Sequence, residues 1–162
     1  MSGVNLWWNI VSCGLVSALL WRFVPRQRIR EAWVSFLFTQ VIAWSAGGLI
    51  YNAHLISAPV RLFPAATHQN VMTAYFIFPA LSALYYIHFP MGRFKRFLCT
   101  CAYSGVVALL TFCMDAFTDL LRFDHWNAAH YFVFSLVTLP VCRWFTLWFF
   151  RKPYPVPGGD VW

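Results

Sequence analysis

Five apolar stretches, each long enough to cross a lipid bilayer, follow one another along this chain with only short polar connectors between them. They cover about residues 4–24, 33–56, 71–89, 97–119 and 128–150. A helix needs roughly 20 apolar residues to span a hydrocarbon core of about 30 Å. Inside that core the backbone must satisfy its own hydrogen bonds, which leaves the helix as the natural form for such runs. Only 10% of the 162 residues are charged and 60% are hydrophobic, whereas an ordinary soluble domain carries about 25% charged residues. The sequence therefore predicts an all-α integral membrane bundle of five transmembrane helices. Residues 1–152 form its single domain, and residues 153–162 form a short proline-rich cytoplasmic tail.

The charges set the orientation. Arg22, Arg26, Arg28 and Arg30 follow the first apolar run, whereas a secretory signal carries its positive charge before the run and a small-residue cleavage site after it. The first run therefore reads as a retained helix. With Arg93, Lys95, Arg96, Arg151 and Lys152, nine basic residues fall on one side of the bundle. Arg61 and Arg122 alone fall on the other, which places the N-terminus outside and the C-terminus in the cytoplasm. Trp7, Trp8, Trp21, Trp33, Trp126 and Trp148 lie near the predicted span ends, where an aromatic belt sits. The net charge of +7 is accounted for by this topology and gives no reason to expect a nucleic-acid partner. The five cysteines form no CxxC pair and read as small packing residues.

The polar residues inside the apolar runs carry any chemistry there is. Asp115, Asp119 and Arg122 close the fourth run at spacings of four and three, which would place them on one face of a continuing helix. Counting about 1.5 Å per residue from Phe97, Asp115 lies roughly 27 Å along the span, near its outer boundary. An ionised carboxylate at that depth needs a partner or water. The topology brings His54 and His130 to the same outer end, beside Arg122. Two readings stay open: a proton- or cation-binding carboxylate at the mouth of a cavity, or an ion pair that locks neighbouring helices. Asp115, Asp119, His54, His130 and Arg122 are thus the candidate ligand or ion residues. No HExxH or comparable spacing supports a metal, no cofactor motif is present, and no catalytic residue is identified. Arg143 reads as a side chain that snorkels to the cytoplasmic surface. Pro79 and Pro140 are expected to kink the third and fifth helices. Gly14 with Ala18, and Ala43 with Gly47, are small-residue pairs suited to close helix approach.

Over about residues 71–148 the order of features is distinctive. A proline-bearing apolar helix leads to Tyr85-Tyr86-Ile-His-Phe-Pro90 and then Phe94-Lys95-Arg96-Phe97. A helix ending at Cys113-Met-Asp115 follows, then Trp126 at a turn and a proline-bearing helix with Arg143-Trp144. This half of the chain resembles an uncharacterised family of small multi-pass membrane proteins common in spore-forming Firmicutes. The resemblance implies a bacterial cytoplasmic membrane and a carboxylate at the Asp115 position, and it supplies no activity. The architecture also looks like that of the tryptophan-rich sensory proteins. Their Trp- and Pro-rich first loop has no counterpart in Pro25-Arg-Gln-Arg-Ile-Arg30. The expected role is a structural or accessory subunit that meets lipid, and either another membrane protein or a second copy of itself. The alternative is binding or transport of a small solute, cation or proton at the outward-facing cluster around Asp115.

Overall fold

The computed structural model describes residues 3–59 and 73–150. The middle of the second connector, with Arg61, Pro64 and His68, lies outside the described residues, as do Arg151, Lys152 and the proline-rich tail. Helix α1 covers Gly3–Phe23. Pro25 stops it in extended backbone and opens a 3-10 turn, Arg26–Arg28, which runs directly into α2, Ile29–Asn52. A π-helical turn, Thr73–Ile77, leads into the short α3, Phe78–Ile87. Helices α4, Arg93–Phe117, and α5, Ala128–Phe149, complete the set. Three segments are long and apolar enough to cross a membrane: Arg26–Asn52, Arg93–Phe117 and Ala128–Phe149.

Helix α3 is the axis of the bundle. All eight residues from Pro79 to Tyr86 are buried, so the helix shows no outer face. It packs chiefly on α2 and also meets α1, α4 and α5. A helix covered on every side belongs in a core. Its neighbours are organised the other way round, with large apolar side chains turned outward: Trp21 is 90% exposed, and Trp7, Leu37, Phe112, Val133 and Trp148 stand free of the core. Meanwhile Asn5, Glu31, Ser35, Thr39, Ser82, Ser104 and Arg143 are buried. Apolar outside and polar inside reverses the rule for proteins in water. Small and hydroxyl side chains between helices are what a lipid-facing bundle uses to hold together.

The helix ends differ from the sequence expectation in ways that matter for the site. The second helix begins and ends about four residues earlier than expected, because Ile29 continues the 3-10 turn and His54 takes a left-handed backbone (φ 55°) that ends it. The chain then lays down a two-residue strand, β1, Ile56–Ser57, which pairs antiparallel with β2, Arg122–Phe123. The carbonyl of Leu55 accepts from the backbone N–H groups of Asp124, His125 and Trp126 at 2.9 to 3.2 Å. This clip joins the connector after α2 to the connector after α4. It also overturns the helical face expected for Asp115, Asp119 and Arg122. The helix stops at Phe117 and Thr118 is extended, because Leu120 and Leu121 turn inward to full burial and Arg122 enters the strand pair. Pro79 is likewise not a mid-helix kink: it sits in the first turn of α3, directly after the π turn. There a missing N–H costs the helix little. Pro140 does lie inside α5, as expected.

Candidate functional site

At the end of the bundle where α4 stops, the fold gathers part of the expected cluster by another route. Asp115, Asp119 and Arg122 line one open cup of about 390 Å³ together with Asn5 of α1. The Phe123 amide donates to Asp115 Oδ1 at 3.0 Å, so this carboxylate holds the turn after α4 in place. Asp119 and Asn5 clasp each other: the Asp119 amide donates to Asn5 Oδ1 at 3.1 Å, and Asn5 Nδ2 donates to Asp119 Oδ2 at 3.4 Å. Among the described residues, no cationic group comes within ion-pair distance of either carboxylate.

The histidines lie elsewhere. His54 is exposed on its turn and borders a separate hollow with Tyr51, Asn52 and Ser57. His130 is in the first turn of α5, where its Nδ1 lies 2.7 Å from Asn127 Oδ1 and its ring lies 4.6 Å from that of Trp126. Asn127 caps α5 by accepting from the His130 amide. No three His, Cys, Asp or Glu side chains come together as a metal-binding group among the described residues.

A second cluster lies at the opposite end, and there the charges are buried. Glu31, in the first turn of α2, is only 7% exposed. Tyr86 of α3 donates its hydroxyl to Glu31 Oε2 at 2.9 Å, and Arg28 reaches the same oxygen through Nε and Nη2 at 3.4 Å. Arg28 also donates to the Ile87 carbonyl at 3.3 Å, tying the 3-10 turn to the end of α3. Arg143 of α5, equally buried, does not snorkel to the surface. Its guanidinium lies 3.9 Å from the centre of the Phe89 ring and 5.5 Å from that of Tyr86. The guanidinium of Arg28 lies over Tyr86 at 5.5 Å, and that of Arg96 over Phe89 at 5.8 Å. Two aromatic rings thus carry three guanidinium groups, one of which, that of Arg28, also reaches the Glu31 carboxylate. Cation–π contacts of this kind gain strength when water is excluded.

From Glu31 a line of hydroxyls climbs the bundle. Ser35 and Thr39 repeat Glu31 at four-residue spacing, so one face of α2 is polar for two turns. That face meets Ser82 of α3 and Cys142 of α5. Thr39 Oγ1 lies 2.7 Å from Ser82 Oγ, 2.8 Å from the Ser35 carbonyl and 3.1 Å from Cys142 Sγ, and Ser35 Oγ lies 3.3 Å from Ser82 Oγ. Above Thr39 the line meets a cavity of about 70 Å³ between α2, α3, α4 and α5. Its walls are mostly apolar (Ala43, Ile50, Phe78, Val107, Phe134), with Thr111, Tyr131, Ser135 and Thr138 among the polar groups, and Gly47 also borders it. The small pair Ala43 and Gly47, which reads in the sequence as a docking surface, lines a hollow inside this same chain. Helix α4 lends Thr111 and Met114 to the cavity, and the next residue, Asp115, to the outer cup.

The inner cluster and the hydroxyl file are therefore what sequence reasoning missed. The signal was present: Glu31, Ser35 and Thr39 recur at helical period, as do Ser82 and Tyr86. Comparison of the chain with protein-family models, curated proteins and solved structures finds no match.

Proposed function

We propose that this chain is a multi-pass protein of a bacterial cytoplasmic membrane, five helices crossing with the N-terminus outside, whose interior binds and passes a small polar or cationic species. The observation that carries this reading is buried Glu31, held by Tyr86 and Arg28 at the foot of a hydroxyl file that leads to a cavity. Ionisable groups inside a bilayer are costly and concentrate on substrate and ion paths. A bundle built only to scaffold could fill the same space with apolar side chains. In this reading the cup of Asp115, Asp119 and Asn5 is the outer vestibule, and the Glu31 cluster is the cytoplasmic end. The test is a thermal-shift screen of the purified protein against ions and small polar solutes, with Glu31→Gln and Asp115→Asn alongside. A stabilising ligand whose effect is lost in Glu31→Gln supports the reading. No shift in any condition, with both substitutions neutral, sinks it.

A second reading, a structural or accessory subunit, draws support from α1. That helix buries Asn5, Asn9 and Val16 but leaves Gly14 and Ala18 exposed, with nothing within 4 Å of a side chain built at Gly14. A small-residue face of this kind accepts a helix of another membrane protein or of a second copy. Gly14→Leu separates the two readings in the same preparations. Loss of a co-purifying partner or dimer with stability unchanged favours the subunit role, and an unchanged particle mass removes it.

A further inference from the structure

We propose that the species carried by this interior is the proton, relayed between the cavity and Glu31 by the hydroxyls of Thr39, Ser82 and Ser35, and that the same constriction bars metal cations. The inference rests on the reading of the interior as a polar path, and it names the substrate of that path.

The geometry of the constriction separates the two kinds of cargo. Thr39, Ser82, Ser35 and Cys142 are joined by direct contacts of 2.7 to 3.3 Å, across α2, α3 and α5. A metal cation crossing this level would have to force these contacts apart. It would also have to exchange its hydration shell for hydroxyls already engaged with each other, with no carboxylate among them. A proton needs no opening, because it moves by exchange along hydrogen bonds already formed. The Thr39 hydroxyl has one hydrogen and three acceptors in reach: the Ser35 carbonyl, Ser82 Oγ and Cys142 Sγ. It can therefore turn between them, which a relay requires after each passage.

The proton balance is simple. A proton arriving from the cavity binds Thr39 Oγ1 as that hydroxyl gives its own proton to Ser82 Oγ. Ser82 passes one to Ser35, and Ser35 releases one towards the Glu31 carboxylate, which becomes the carboxylic acid. The acid gives that proton to water beyond this end of the bundle, so the carboxylate is regenerated and each hydroxyl ends neutral and reversed. The last leg is one helical turn, about 6 Å, a span that a single bridging water covers. Arg28 from the 3-10 turn and Tyr86 from α3 contact Glu31, Arg143 of α5 lies over the same Tyr86 ring, and Arg96 of α4 lies over Phe89. At the cavity end, Tyr51 and Tyr131 are the titratable residues of the wall.

The experiment uses the full chain reconstituted in liposomes that enclose a pH-sensitive dye, with a membrane potential set by potassium and valinomycin. Proton entry that follows the potential is expected, without uptake of radioactive sodium or rubidium. Glu31→Gln should abolish it. Thr39→Val and Ser82→Ala should each slow it about tenfold, and Thr39→Ser should restore it, because a hydroxyl can relay and a methyl cannot. Retention on a sizing column confirms that each variant is folded. Proton entry undiminished in Thr39→Val and Ser82→Ala overturns the relay, as does the absence of proton entry in the parent protein. Sodium or rubidium uptake that Glu31→Gln abolishes overturns the choice of proton while the polar path itself stands. If no ion moves and the thermal-shift screen is also silent, both fall.

Discussion

The two ends of this bundle each hold acidic residues, and they are built on opposite principles. At one end, Asp115 and Asp119 face an open cup and spend their oxygens on local backbone and an asparagine. At the other, Glu31 is enclosed and receives its hydrogen bonds from charged and phenolic donors on other elements. Carboxylates near water can be lost cheaply, because solvent replaces what the protein provided. A buried carboxylate is bound to its donors, and removing either partner leaves the other uncompensated. Position along a helix, which made Asp115 conspicuous in the sequence, is therefore a poorer guide to consequence than enclosure.

The comparison breaks most easily at Glu31. Glu31→Ala should cost about 2–4 kcal/mol, because it strands the Tyr86 hydroxyl and leaves Arg28 without the carboxylate. Thermal unfolding in detergent should show the largest drop of any single acidic replacement. Tyr86→Phe sharpens the same point from the donor side: deleting one hydrogen bond to a charged acceptor should cost about 1.5 kcal/mol and leave the packing of the ring intact. Asp115→Asn should cost less than about 1 kcal/mol, since an amide oxygen still accepts from the Phe123 amide. If Asp115→Asn proves more damaging than Glu31→Ala, the contrast between the ends is wrong.

How much of this was legible follows from what a helix pattern encodes. Long apolar runs announce themselves, and three of them form helices of the length and apolarity a membrane crossing needs. The ends were harder, because they depend on contacts far apart in sequence. Nothing local in Asp115 to Phe123 says that Ile56 and Ser57 will pair with it and stop the helix. Arg143 was misread for a related reason. It does lie about two turns before the end of α5, but whether it reaches the surface depends on Phe89 and Tyr86 standing in the way. The file of Glu31, Ser35 and Thr39 was readable as a stripe. Its importance became visible only when α3 supplied Ser82 and Tyr86 opposite it.

Helix α3 also bears on how the protein is made. From Pro79 to Tyr86 every residue is enclosed, whereas a span that faces lipid keeps one side outward. Its hydroxyls at Ser82, Tyr85 and Tyr86 find their partners on the 3-10 turn, α2 and α4, not within itself. Left alone among lipids, such a segment would lack the partners its hydroxyls have in the bundle. That set is complete only once α4, which follows it in the chain, joins α2, which precedes it. The most enclosed helix of the chain would then be the last to find its position, and the one that closes the bundle.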